Sequence, residues 1–222
     1  MPKRLRASKN MIKCIIFDSD GTLVDSEPLG HKCMSIQLAK YGYEVSQETM
    51  EELYRGWKLH DILDEIAKSF DNFSLPENFI PEYRVELNLM FESELQAMPG
   101  VEEALQKIKL PICLASSGPM LKIEMALKVT GLKKYFGDNI FSAYIIKAWK
   151  PDPKLFLVAA ETMGFKPDEC LVIEDSEVGV QAALAAGMKV IHYNPSGIKI
   201  SVEEDVVVIH HMNQLVAKVQ EL

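Results

Sequence analysis

The chain has few cysteines, no long apolar run, no excess of positive charge and no internal repeat. Its four cysteines, Cys14, Cys33, Cys113 and Cys170, never fall at C-x-x-C spacing, which removes the common zinc and dithiol-redox arrangements. Three of them lie in or beside apolar strand-like runs and Cys33 lies in a helical pattern, so each reads as a buried reduced thiol that packs as a small hydrophobe. No stretch approaches the roughly 20 apolar residues of a membrane span. The basic start, MPKRLRASKN, is followed by only about six apolar residues before Asp18, too few for the apolar part of a secretion signal. A formal net charge of -8 argues against a broad nucleic-acid footprint, although a local site can still be cationic. The expectation is a soluble cytoplasmic monomer without nucleic-acid or membrane partners, whose residues 1–10 form a loose basic arm.

What remains is an ordinary globular composition, 48% hydrophobic and 25% charged over 222 residues, enough for one large domain or for one domain with a smaller one inserted. From residue 95 onward, short apolar runs alternate with amphipathic patterns. PICLAS (111–116), NIFSA (139–143), CLVIE (170–174), KVIHY (189–193) and VVVIH (206–210) read as strands. Helical patterns lie near 100–109, 119–130, 153–164 and 176–186. Such alternation predicts crossover connections and a parallel sheet covered on both faces. Residues 12–17 add one more strand, and its hydrophobicity makes it a central one. Residues 28–94 differ: HKCMSIQLAKYG, SQETMEELYRG and LHDILDEIAKSF are helical in period, with no convincing strand among them. The predicted fold is therefore α/β, a doubly wound parallel sheet built from residues 1–27 and 95–222, with an inserted all-helical cap at 28–94.

One stretch conflicts with simple core packing. CIIFDSDGTLVDSE, residues 14–27, runs four strand-forming apolar residues straight into Asp18 and Asp20. It is not a calcium-binding EF-hand loop, because glycine comes at the fourth position, Leu29 stands at the twelfth, and a strand precedes it. Ligands of open parallel sheets bind beyond the carboxyl ends of the strands. Reading each predicted strand to that end gives Asp18 and Asp20, then Ser116 and Ser117, then Glu174 and Asp175, with Lys150 in the loop entering a helix. Singly, these have plainer readings: DSDG as a turn, Ser117 as a helix N-cap, Asp175 or Ser176 as the cap of the helix that stops at Gly187, Asp152 as an N-cap before Pro153. Their convergence at successive strand ends favours a site over a series of caps.

The residue types suit a phosphoryl group. Mg²⁺ is a hard cation that takes one or two carboxylates together with phosphate oxygens, and Asp18, Asp175 and Glu174 can supply them. A metal and Lys150 would keep Asp18 ionised, so that its carboxylate can attack phosphorus. Asp20 could then protonate the leaving oxygen and later activate water. Gly21 permits the tight turn that faces both aspartates into one pocket, and Ser116 and Ser117, with the amides after Pro119, offer a phosphate-binding edge.

DSDGTLVDSE, Ser116 in LASSGP, Lys150 in WKPDP, and IEDS resemble, in order, the four motifs of the haloacid-dehalogenase-like phosphohydrolases, over residues 12 to about 200. That resemblance implies a Rossmann-like core. It makes Asp18 the nucleophile, Asp20 the general acid and base, Ser116 and Lys150 the phosphate ligands, and Asp18, the Asp20 carbonyl, Glu174 and Asp175 the Mg²⁺ site. The insertion after LVDSE resembles the helical cap of the subgroup that carries it behind the first motif. Within that subgroup RGWKLHDIL, FESELQAMPG, SSGP and WKPDP resemble the bacterial phosphogluconate phosphatases, which implies a small phosphorylated metabolite, a sugar or sugar-acid phosphate such as 6-phosphogluconate, as substrate. The related phosphomutases fit less well: their linker histidine falls on Gly30, with His31 one place along, and their cap arginine falls on Leu59. The alternatives kept beside the phosphatase are such a mutase and a non-catalytic phosphate-binding relative. Cap residues Lys58, Trp57 and His31 are the candidates for choosing the substrate; Lys58 could equally be a solvated lysine and Trp57 ordinary packing.

Overall fold

In the computed structural model, residues 11–55, 57, 59–197, 199–201 and 206–222 are described. Lys58 lies outside them, as does the basic arm at 1–10. Six parallel strands, β1 (Cys14–Phe17), β2 (Ile112–Ser116), β3 (Ile140–Ser142), β4 (Cys170–Glu174), β5 (Lys189–Tyr193) and β6 (Val207–Ile209), form one sheet in the order β3-β2-β1-β4-β5-β6. The bounds of β4 and β5 coincide with the sequence reading, and the other four differ from it only at their ends.

β1 is central, as its unbroken apolar run requires of a strand covered on both faces. All four of its residues are buried. Alternation divides them between two apolar layers: Ile15 and Phe17 join Leu114, Leu171, Ile173 and Ile191 on one face, while Cys14 and Ile16 join Cys113, Ala115, Cys170 and Val172 on the other. Burying each such side chain contributes roughly 1.5–3 kcal/mol. All four cysteines are free and buried. The neighbouring Cys113 thiol and burial push Cys14 up to about 12, against an opposing contact from Cys170, which leaves it protonated and unreactive.

The helices of the inserted segment are α1 (Glu27–Ala39), α2 (Gln47–Tyr54), α3 (Leu59–Ala67) and α4 (Phe79–Glu94). They enclose an apolar cluster of their own, built on Cys33, Met34, Leu38, Met50, Ile62, Ile66 and Phe79. α4 reaches both regions, since Phe79 and Tyr83 pack in that cluster and Phe91 packs in the layer beneath the sheet. The two connections lie side by side, with the Asp25 N–H donating to Gln96 O at 3.0 Å and the Met98 N–H to Leu23 O at 2.9 Å.

The remaining helices are α5 (Val101–Lys107), α6 (Met120–Val129), α7 (Lys133–Phe136), α8 (Ala143–Ile146), α9 (Lys154–Thr162), α10 (Glu177–Ala185) and α11 (Leu215–Glu221). α7 and α8 have four residues each, too few for a helical period to show in the sequence. Among the described residues no helix is long and apolar enough to cross a membrane.

Candidate active site

The strand order places β1 between β2 and β4, the point of an open sheet where a crevice opens beyond the carboxyl ends. Asp18 extends β1 by one residue, its N–H donating to Ile173 O at 2.9 Å. The chain then turns at once, and the Leu23 and Val24 amides both return to Ser19 O, at 2.8 and 3.1 Å. Gly21 in that turn has φ +77°, and a Cβ there would stand 2.1 Å from Asp175 Oδ2. Glycine is therefore required twice over, by conformation and by room. Thr22 Oγ1 donates to Asp175 Oδ1 at 3.0 Å, which locks the first and last polar strand ends together.

Lys150 is buried between them. Its ammonium donates to Asp18 Oδ1 and, at 2.6 Å, to Glu174 Oε1, and it lies 5.0 Å from the centre of the Phe156 ring. Glu174 is held from its other side, where Oε2 accepts from the Ser176 N–H at 2.7 Å and the Ser176 hydroxyl at 2.9 Å. Ser176 caps α10 by accepting from the Gly179 N–H at 3.1 Å, so the Glu174 carboxylate rests against the positive end of that helix. A Cβ on Gly179 would fall 1.8 Å from Glu174 Oε1. On β5, His192 stands opposite Glu174, and its Nε2 lies 3.0 Å from Asp175 O. A carbonyl only accepts, so Nε2 carries the proton there.

Asp18, Glu174 and Asp175 each bring a carboxylate oxygen within 4.8 Å of the others. Burial raises Asp18 to about 7; Lys150 opposes that and Glu174 adds to it. Burial, then Glu174 and Asp18, push Asp175 well above the ordinary carboxylate range. Burial works against the Lys150 charge, and Asp18 and Glu174 outweigh it. Three carboxylates against one ammonium leave two negative charges when all are ionised. One divalent cation balances that deficit, and an all-oxygen donor set suits a hard ion. The residues present fit a divalent metal.

Asp20 is treated differently. Its Oδ2 accepts from Lys122 Nζ at 2.8 Å. Burial alone would raise it, but the Lys122 ammonium and the Ser26 hydroxyl hold it below its ordinary range. Lys122, His192 and Thr22 are site residues to which sequence reading gave no functional role. Lys122 had a signal: it sits in the first turn of α6, where a cation is unfavourable unless something else holds it. His192 had none, because its role depends on strand register.

The structure thus brings Asp18, Asp20, Lys150, Glu174 and Asp175 to one edge. Ser116 ends the neighbouring strand, buried, its hydroxyl accepting from the Gly118 N–H at 3.0 Å. Ser117 is exposed and caps nothing; α6 begins at Met120 with Pro119 in the cap position and no side-chain cap. Asp152 does serve the start of α9, its Oδ1 accepting from the Lys154 N–H at 2.8 Å. His31 is 5% exposed inside the helical segment, with Nδ1 unpartnered. Trp57 is 48% exposed and meets Tyr54 edge-on at 5.6 Å. Neither is hydrogen-bonded to the strand-end cluster among the described residues.

The profile of the haloacid dehalogenase-like hydrolases matches residues 12–187. The chain belongs to that family. It is 32% identical over 206 residues to the 6-phosphogluconate phosphatase of Escherichia coli K12, covering 92% of this chain and 93% of that one. Among solved structures it resembles a haloacid dehalogenase-like protein of unknown function from Agrobacterium tumefaciens (TM-score 0.82, 32% identity, 95% and 98% of the two chains). A second is a family hydrolase from Deinococcus radiodurans with bound phosphate and sodium (TM-score 0.79, 25% identity, 95% and 96%).

Proposed function

We propose that this family member is a Mg²⁺-dependent phosphatase that hydrolyses small phosphorylated metabolites, sugar or sugar-acid phosphates, through an aspartyl-phosphate. The observation that carries the reading is the Asp18 carboxylate. It is buried, hydrogen-bonded to Lys150, and set in a cluster lacking the two positive charges of a divalent ion. The E. coli relative bears the name of one such esterase, for 6-phosphogluconate.

Asp18 and Asp175 would hold the ion, with Glu174 and the Asp20 carbonyl beside them. When bound it supplies the charge that keeps Asp18 ionised and offsets that of the phosphoryl oxygens. The Asp18 carboxylate attacks phosphorus as the bond to the ester oxygen breaks. Asp20, ionised beside Lys122 in the free site, takes a proton from solvent as the negatively charged ester binds next to it and gives that proton to the departing oxygen. In the second step Asp20, now a carboxylate, takes a proton from water, whose oxygen attacks the phosphorus of the aspartyl-phosphate; phosphate leaves and Asp18 is restored. Ser116, the amides beyond it and Lys150 steady the transferring group throughout. Helices α1–α4 act as the cap that covers the pocket and excludes competing water. Hydrolysis is favoured over phosphomutase chemistry because Gly30 and Leu59 stand where the mutase resemblance requires a histidine and an arginine.

Phosphate release from a panel of sugar and sugar-acid phosphates, with Mg²⁺ and with EDTA, tests the proposal. Metal-dependent release from at least one ester is expected. A folded protein that releases phosphate from none of them overturns it.

A further inference from the structure

The two aspartates of the first motif take different ammonium partners. Asp18 is joined to Lys150, whose side chain is 3% exposed and which also holds Glu174. Asp20 turns the other way and accepts from Lys122 at 2.8 Å, in a pair that is 27% exposed on the lysine and 38% on the aspartate. Lys122 comes from the first turn of α6, where the helix's unpaired amides already supply positive charge, so its own helix does not favour it. Its stem crosses the turn that follows β2: a Cβ at Gly118 would meet Lys122 Cδ at 3.8 Å and Ser116 Oγ at 3.4 Å. Its ammonium lies 5.4 Å from the centre of the Phe91 ring. Phe91 is buried on α4, the helix that returns from the inserted segment to the core. One lysine therefore spans the phosphate-side turn, the acid-base aspartate and the last helix of the cap.

We propose that Lys122 is the positioning residue of the acid-base aspartate, holding the Asp20 carboxylate away from the Lys150 cluster and aimed at the ester oxygen that departs. The assignment rests on the phosphatase reading above. An ion pair about a third exposed adds only modestly to stability, so fastening α6 to the loop is a poor account of a cation placed against its helix. Positioning a proton donor has a distinct kinetic signature. An alkoxide from a sugar phosphate must be protonated as it leaves, whereas the phenolate of p-nitrophenyl phosphate departs without help. The ratio kcat/KM reports the first phosphoryl transfer for both esters, so their difference isolates donation of that proton.

The test compares wild type, Lys122→Met and Lys122→Arg on p-nitrophenyl phosphate and on a sugar phosphate that the wild type cleaves. Lys122→Gln stands in if the methionine variant does not fold. For Lys122→Met, kcat/KM on the sugar phosphate is expected to fall on the order of 10²-fold. On p-nitrophenyl phosphate it is expected to fall by less than about 5-fold, and Lys122→Arg should recover most of the loss on the sugar phosphate. Equal losses on both esters, or no loss on the sugar phosphate, overturn the assignment. A wild type that cleaves neither ester removes the phosphatase reading and this assignment together, an outcome plainly different from equal losses in an active enzyme.

Discussion

The strand-end edge and the helical segment handle buried polarity in opposite ways. At the edge, Asp18, Lys150, Glu174 and Asp175 are all buried or half-buried, and each has a charged or hydrogen-bonding partner. Among the described residues, the buried side-chain nitrogens and oxygens without a partner are His31 Nδ1 and both ends of the Gln37 amide, all on α1. Leaving such a group unpaired costs about 1–3 kcal/mol. The helical segment also exposes Leu53, Trp57, Val85 and Leu89. The edge is a network in which each charge determines the next, so a change anywhere in it should be felt as chemistry. Among the described residues the segment carries no such buried network, so changes there should be felt as stability or as selectivity.

The largest effect follows from removing the centre of the network. Asp18→Asn keeps the shape and deletes the nucleophile, so phosphate release should fall on the order of 10⁴-fold or more while circular dichroism stays unchanged. A variant retaining a tenth of the activity would break the comparison at its root. Next come two glycines. In Gly179→Ala the new Cβ would stand 1.8 Å from Glu174 Oε1, and the carboxylate that orients Lys150 must move. Activity should drop about 100-fold, because small misplacements at a reacting centre cost that much. Gly42, between α1 and α2, has φ +85° but nothing within 4 Å of its Cβ position. Gly42→Ala should cost only about 1–2 kcal/mol of backbone strain, and kcat should stay within about 2-fold of wild type. Assays of both variants beside their melting curves decide whether edge and segment differ as described.

Much of this was legible before the structure. β1 and β4 are wholly buried apolar runs that end in or against a carboxylate, and such runs admit few other readings. The positions of Asp18 and Glu174 followed from reading each strand to its end, and that of Lys150 from the loop that enters a helix. Less visible were features that arise only from packing. His192 reaches the Asp175 carbonyl because register sets it opposite Glu174. Lys122 finds Asp20 across 102 residues of sequence. Ser116 and Ser117, expected side by side on the phosphate edge, part company: Ser116 is buried and accepts from the Gly118 N–H, whereas Ser117 is exposed. Side chains that choose partners by geometry leave little trace in composition.

A smaller effect separates the regions by pH. In the fold Asp18 titrates near 7, raised by burial from an ordinary 3.8, and Asp175 is raised in the same direction. Between those values the folded, metal-free protein binds more protons than the unfolded chain, so stability falls as pH rises. Burial lowers His31 below its ordinary 6.5. There the unfolded chain binds the extra proton, so stability falls as pH drops through that value. In EDTA, the melting temperature of Asp18→Asn should gain on wild type by roughly 2–6 °C from pH 5 to 7.5. That of His31→Phe should gain in the reverse direction, from pH 7.5 to 5. Parallel curves for all three proteins would show that neither group carries the pH dependence.

The smallest effect concerns Trp57. Half-exposed and, among the described residues, in edge contact with Tyr54, it has little to contribute to stability, and a single exposed aromatic is ordinary unless its removal changes binding. If the segment selects the substrate, Trp57→Ala should raise KM for sugar phosphates about 3- to 10-fold and leave kcat nearly unchanged. On p-nitrophenyl phosphate, whose leaving group shares none of the sugar's hydroxyls, KM should move less than about 2-fold. That pattern is the loss of binding felt equally in ground and transition state. Ordinary packing predicts something else: a melting temperature lowered by several degrees and every ester affected alike. The two outcomes differ in which quantity moves, so a modest change still assigns the residue.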